Sequence, residues 1–156
     1  MLQGGLFNWA ARINGEENRM YPTLFRLSVV VFSLLAVLPA SANDDKTAAI
    51  CAEAEERYVE LFGHPSSDEE GITVVTMYKY KFCPAHLTVP VGTTVRWVNV
   101  DKRTSHSVVV KDTPESDRLF PEETFEFTFL LPGDQDYLCG PHWETQNMIG
   151  MVTVEP

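Results

Sequence analysis

Basic residues are scarce in this chain of 156 residues: 12 Lys plus Arg stand against 22 Asp plus Glu, for a formal net charge of −10. That balance makes nucleic acid and anionic membrane surfaces poor partners. Long apolar runs are also missing. The longest, Leu27-Ser-Val-Val-Val-Phe-Ser-Leu-Leu-Ala-Val-Leu38, holds about 12 residues, short of the roughly 20 that a bilayer crossing requires. There is no internal repeat, no low-complexity tract, no H-x-H pair of the kind multicopper oxidases use and no paired C-x-x-x-C for a dinuclear copper site. Cysteine occurs three times and histidine four times.

The apolar run follows Arg26 and precedes Pro39-Ala-Ser-Ala42, the layout of a signal peptide with an A-x-A cleavage site. Residues 1–42 are therefore expected to be an export signal, with Met20 as a possible true start. Export places the mature protein in the periplasm, with no membrane anchor after cleavage. From Asn43 onward there are 20 acidic and 9 basic residues, a net charge of about −11. A domain of this length encloses a core of modest size.

Between Lys46 and Phe62, Cys51, Ala54, Tyr58 and Leu61 recur at spacings of three and four, which predicts an amphipathic helix stopped by Gly63. His64 to Gly71 reads as a polar linker. From Ile72 the texture changes to β-branched and aromatic runs, at Ile72–Phe82, Leu87–Val89, Thr94–Val100, Ser107–Lys111, Thr124–Leu131, Asp136–Cys139 and Met148–Val154. Strands at this spacing imply a sandwich or barrel. Phe125, Phe127 and Phe129 alternate with polar or aliphatic neighbours and are expected to share an inward face. The organisation expected is a 43–71 helix and linker followed by a 72–156 β domain.

Chemistry concentrates near the C-terminus. Tyr137-Leu-Cys-Gly-Pro-His-Trp-Glu-Thr-Gln-Asn-Met-Ile-Gly-Met151 places Cys139, His142, Met148 and Met151 in and beside one loop, and Thr104-Ser-His106 brings a second imidazole. A thiolate, two imidazoles and a weak axial thioether form the set that suits a blue-copper electron-transfer site. His106, Cys139, His142 and Met148 are the candidate ligands of one copper cycling between Cu(II) and Cu(I). Cys51 and Cys83 remain, and an oxidising location makes a disulfide between them the default reading. His64 and His86 carry no partner motif.

Cys-Gly-Pro-His followed by Met-Ile-Gly-Met-Val-Thr-Val resembles the copper loop and last strand of plastocyanins and pseudoazurins, members of the cupredoxin family. Phe82-Cys-Pro-Ala-His-Leu-Thr-Val-Pro-Val-Gly-Thr-Thr-Val-Arg-Trp-Val-Asn99 is similar to their opening half. The resemblance runs from about Ile72 to the C-terminus. It implies an all-β Greek-key sandwich of about 7–8 strands, to which an N-terminal helix has been added.

Two departures accompany the resemblance. The loop from Trp143 to Asn147 has five residues where the family usually has four. The axial position is thereby contested between Met148, Met151, Gln146 and no ligand, with Met151 also fitting as a strand residue that faces the core. Ser107 stands where many relatives carry Asn, and its hydroxyl is able to bond the ligand loop. The function implied is that of an electron carrier and not an enzyme. Its partners would be redox proteins such as c-type cytochromes or a copper or haem reductase or oxidase, and it would act as a monomer. Periplasmic copper delivery is the alternative.

Overall fold

The structure, a computed structural model, describes residues 42–156. The export-signal expectation and the alternative start at Met20 lie outside the described residues. Helix α1 runs from Ala42 to Phe62, one turn earlier than its apolar spacing predicts. Asp44 and Asp45 occupy its first turn, where acidic side chains complement the helix dipole. It ends as expected at Gly63, whose φ of +81° lets its N–H bond the Val59 carbonyl at 2.8 Å.

Eight strands follow: β1 (Ile72–Tyr78), β2 (Lys81–Cys83), β3 (His86–Pro90), β4 (Thr94–Asn99), β5 (Val109–Val110), β6 (Thr124–Thr128), β7 (Gly133–Leu138) and β8 (Ile149–Glu155). A short helix, α2 (Trp143–Gln146), lies between the last two. They form two four-stranded sheets, ordered β2-β1-β4-β6 and β3-β8-β7-β5. The pairs β1/β4 and β3/β8 are parallel and the others antiparallel. This is the Greek-key cupredoxin sandwich with one added helix.

The main core lies between the sheets. Val75, Met77, Phe82, Val95 and Trp97 of the first sheet meet Val89, Val110, Tyr137, Val152 and Val154 of the second. Phe129 is buried and Phe125 and Phe127 pack partly against the same core, so the three phenylalanines do share one face. A second cluster lies on the other side of the first sheet, where Ala54 and Tyr58 of α1 cover Val74, Cys83, Val98 and Val100. β1 is therefore buried on both faces. Its run of apolar residues lacks alternation for that reason.

The Cys51–Cys83 disulfide, with Cα atoms 5.3 Å apart, fastens α1 to β2. Polar ties reinforce it: the Tyr58 hydroxyl donates to Glu69 at 2.7 Å, and Glu55 accepts from the backbone N–H and the hydroxyl of Ser66. The expected single strand Ile72–Phe82 is instead a hairpin. Lys79 and Tyr80, at φ 46° and 62°, turn the chain so that Tyr78 pairs with Lys81. Lys-Tyr carries none of the Asn or Gly signals of such turns, and so the break is invisible in composition.

The expectation that Met151 could serve as a core-facing strand residue is corrected. In β8 the inward positions are Gly150, Val152 and Val154, and period-two alternation turns Met151 to the opposite face, opposite His86 in the register. Gly150 is inward because the Tyr137 ring lies across it; a Cβ there would come within 2.3 Å of that ring and 2.6 Å of the Ala85 carbonyl.

Candidate metal centre

Three donor side chains meet at one end of the sandwich. His106, Cys139 and His142 present ligand atoms that all lie within 4.8 Å of one another. The Cys139 sulfur is 3.6 Å from Nδ1 of His106 and 3.3 Å from Nδ1 of His142. Cys139 and His106 are fully buried, whereas His142 is only half-buried. Cys139 is the free cysteine, since the other two are bonded to each other.

Each donor is fixed by backbone bonding. His106 lies in the β4–β5 loop but forms an isolated antiparallel bridge with Leu119, with N–H···O distances of 3.0 and 2.8 Å. Buried Asn99, at the end of β4, stiffens this loop by donating to the carbonyls of Thr104 and Leu119 and accepting from the Asp101 N–H. Cys139 follows β7, and its carbonyl accepts from the backbone N–H groups of both His142 and Trp143. The Cys139 N–H donates to the Met148 carbonyl at 3.0 Å, so the two ends of the loop are joined across the base.

The five residues between His142 and Met148 hold one helical turn. Trp143–Gln146 forms α2, and Asn147, at φ 50° and ψ 46°, closes it in the left-handed conformation that Asn tolerates. The chain then delivers Met148 to the core with no exposed surface. Gln146 and Met151, the other axial candidates, are exposed and half-buried respectively.

Ser107 does meet the ligand loop. Its hydroxyl accepts from the Gly140 N–H at 3.2 Å and donates to Glu115 at 2.5 Å. Gly140 leaves room for this pair, because a Cβ there would lie 2.0 Å from the Glu115 carboxylate. Burial pushes the Cys139 thiol above its ordinary range, and burial followed by the nearby His106 and Arg118 charges holds His142 below its own. The pocket thus favours neutral imidazole at His142, the form that donates a lone pair to a metal.

Three contributors were not legible beforehand. Asp101 accepts from His106 Nε2 at 2.8 Å. Tyr80, in the strained hairpin turn, sets its ring edge-on to His142 at 4.9 Å and to His106 at 6.3 Å between centroids. Glu115 completes the Ser107 relay. The faint signal for Asp101 was a pair of polar residues, Asn99 and Asp101, breaking the alternation of a strand that leads toward His106. His64 and His86 lie apart from the cluster, and His86 is exposed at the start of edge strand β3.

A family model described as a cupredoxin-like domain matches residues 27–154. The chain belongs to the cupredoxin-like family. It is 32% identical over 127 residues to amicyanin-alpha of Methylorubrum extorquens, covering 78% of this cupredoxin and 98% of that protein. Halocyanin of Natronomonas pharaonis is 41% identical over 83 residues, 49% of each chain. Among solved structures, a reduced Cu(I) form of an amicyanin mutant at pH 4 superposes with a TM-score of 0.50 at 30% identity, over 58% of this chain and 89% of that one. A second amicyanin mutant in its Cu(I) form gives the same TM-score, identity and coverage. This cupredoxin is accordingly a protein of the copper-binding type, and its own donor set has the composition that one copper requires.

Proposed function

We propose that this cupredoxin is an exported type 1 copper electron carrier, in which His106, Cys139, His142 and Met148 would hold the copper. The observation that carries the reading is the convergence of both Nδ1 atoms on one buried thiol that no disulfide or other covalent partner occupies. Two imidazoles facing a free thiol form a donor set that fits a soft metal ion. Copper, when bound, supplies reversible one-electron chemistry. Cys139 would contribute the thiolate, and His106 and His142 would contribute the imidazole nitrogens. The two sheets exclude water, and the hydrogen-bonded loop limits movement between oxidation states.

His142 is the way in. Its half-buried ring lies beside exposed Trp143 and Tyr80, so a docked redox protein reaches the buried donors through that imidazole. A c-type cytochrome, or a copper or haem reductase or oxidase, is the class of partner this serves, with the carrier acting as a monomer. The Cys51–Cys83 disulfide fits an oxidising compartment such as the periplasm. Copper delivery is disfavoured because a donor that hands metal to a partner needs exposed ligands, and three of these four are fully buried.

The test is a Cu(II) titration of the mature protein followed by visible and electron paramagnetic resonance spectroscopy. The expected result is an intense thiolate-to-copper band that saturates at about one copper, bleaches with reductant and is lost in Cys139→Ser. A weak, ordinary copper signal in the parent protein rejects the carrier.

A further inference from the structure

Asp101 is a carboxylate with almost no access to water, and its contacts lead in two directions. Its Oδ2 accepts from Nε2 of His106 at 2.8 Å and from the backbone N–H of Lys79 at 3.2 Å. Lys79 and Tyr80 form the turn in which both residues adopt left-handed backbone angles without being glycine. Such conformations persist only where surrounding contacts hold them. Lys79 is also bound through its ammonium to Glu53 of α1, and Tyr78 donates to the same carboxylate at 3.4 Å. One oxygen of Asp101 therefore joins a candidate ligand to a hairpin that is itself fastened to the helix.

The consequence for His106 is chemical. A carboxylate on Nε2 requires the proton to be there, which leaves the Nδ1 lone pair facing the Cys139 sulfur 3.6 Å away. A negative partner on the far nitrogen also makes the imidazole a stronger donor, as outer partners do at metal-bound histidines. Stronger donation favours Cu(II) over Cu(I). The main chain of His106 is fixed by its bridge to Leu119, and the edge of the Tyr80 ring faces the imidazole.

We infer that Asp101 is a positioning residue of the copper site, which fixes the His106 tautomer and sets its donor strength while anchoring the Lys79–Tyr80 turn over the two imidazoles. This rests on the proposed copper function, yet part of it can be read without copper. The probes are Cu(II) and Cu(I) for midpoint titration and the metal-free, ¹⁵N-labelled protein for the histidine tautomer.

Asp101→Asn keeps an acceptor oxygen and removes the charge. The Cu(II)-over-Cu(I) preference is expected to fall about tenfold, a midpoint rise of ~59 mV for one electron, with the His106 tautomer retained. Asp101→Ala removes the acceptor as well; the tautomer then becomes mixed and contacts between the Tyr80 and His142 rings weaken. Glu53→Gln serves as the control, loosening the helix tie without touching His106, and should leave the midpoint unchanged.

If the midpoint and the His106 tautomer in both Asp101 variants match the parent, Asp101 is only a turn anchor and the inference is overturned. Should Asp101→Ala fail to fold, the midpoint of Asp101→Asn decides alone. Should the parent bind no copper, the carrier reading fails, while the His106 tautomer in the metal-free variants still decides the positioning role.

Discussion

Met148 and Met151 are separated by two residues and by the whole difference between inside and outside. Met148 is fully buried beside Cys139, whereas Met151 faces away from the inter-sheet core. Replacing Met148 by Leu conserves volume, a change that costs under about 1.5 kcal/mol in a core, and removes the thioether. The expected outcome is a retained blue colour with a raised midpoint, because a weak axial donor tunes the potential of such a site. Met151→Leu should leave both unchanged. Cyclic voltammetry of the two variants checks the assignment, and a shift confined to Met151→Leu would reverse it. At this scale the sequence was most informative for the donors, since thiol, imidazole and thioether occur there in one loop. It was faint on Asp101 and silent on Tyr80, whose roles arise from a turn and a strand end that approach only in three dimensions.

At the scale of elements, α1 is the addition to an otherwise familiar sandwich, and its attachment is both covalent and polar. Removing the disulfide as Cys51→Ala with Cys83→Ala frees a loop spanning a sequence separation of 32. Chain entropy for a loop of that size predicts a loss of about 3–4 kcal/mol. Urea denaturation of the double variant, with unchanged colour before the transition, is the expected result; loss of colour without loss of stability would mean that the helix acts on the metal centre and not on the fold. The helix itself was legible from Cys51, Ala54, Tyr58 and Leu61, because burial of one stripe leaves a periodic trace. Its upstream turn was not, since Asn43 to Asp45 are exposed and leave none. Strands β4, β6 and β8 were legible through their aromatic and β-branched residues. β5 shrank to Val109–Val110 because the chain before it bonds Leu119 and Ser116 and not a neighbouring strand. The split of β1 from β2 was hidden for a different reason, as β1 is covered on both faces and its turn uses residues without turn chemistry.

Across the molecule, one network of charge spans the helix, the linker and the first sheet. The Tyr58 hydroxyl donates to Glu69, which also pairs with Arg96 of β4 at 3.2 Å, and Arg96 pairs with Glu126 of β6 at 2.7 Å. The Tyr58 hydrogen bond, with the Arg96 charge behind it, holds Glu69 below its ordinary value of 4.5. A carboxylate whose folded pKa is depressed adds stability above its unfolded pKa and loses it as pH falls through the folded value. Stability should therefore be constant above about pH 4.5 as far as Glu69 is concerned, and decline on acidification below it. Urea midpoints measured from pH 6 to pH 3 should show a shallower decline in Glu69→Gln than in the parent. Equal slopes would remove this network from the account of acid stability.

The placement of the three cysteines also bears on how the molecule is assembled. Before folding, any two of them can join under oxidation, and only the pairing of Cys51 with Cys83 leaves the candidate ligand Cys139 free. Folding separates the choices by a sheet: Cys51 and Cys83 meet on the helix-covered outer face, while Cys139 closes into the interior with no exposed surface. A chain that has joined Cys139 to either of the others cannot place helix, β2 and ligand loop together. Such chains never reach the native shape, so the architecture sorts correctly from wrongly oxidised molecules before any metal arrives.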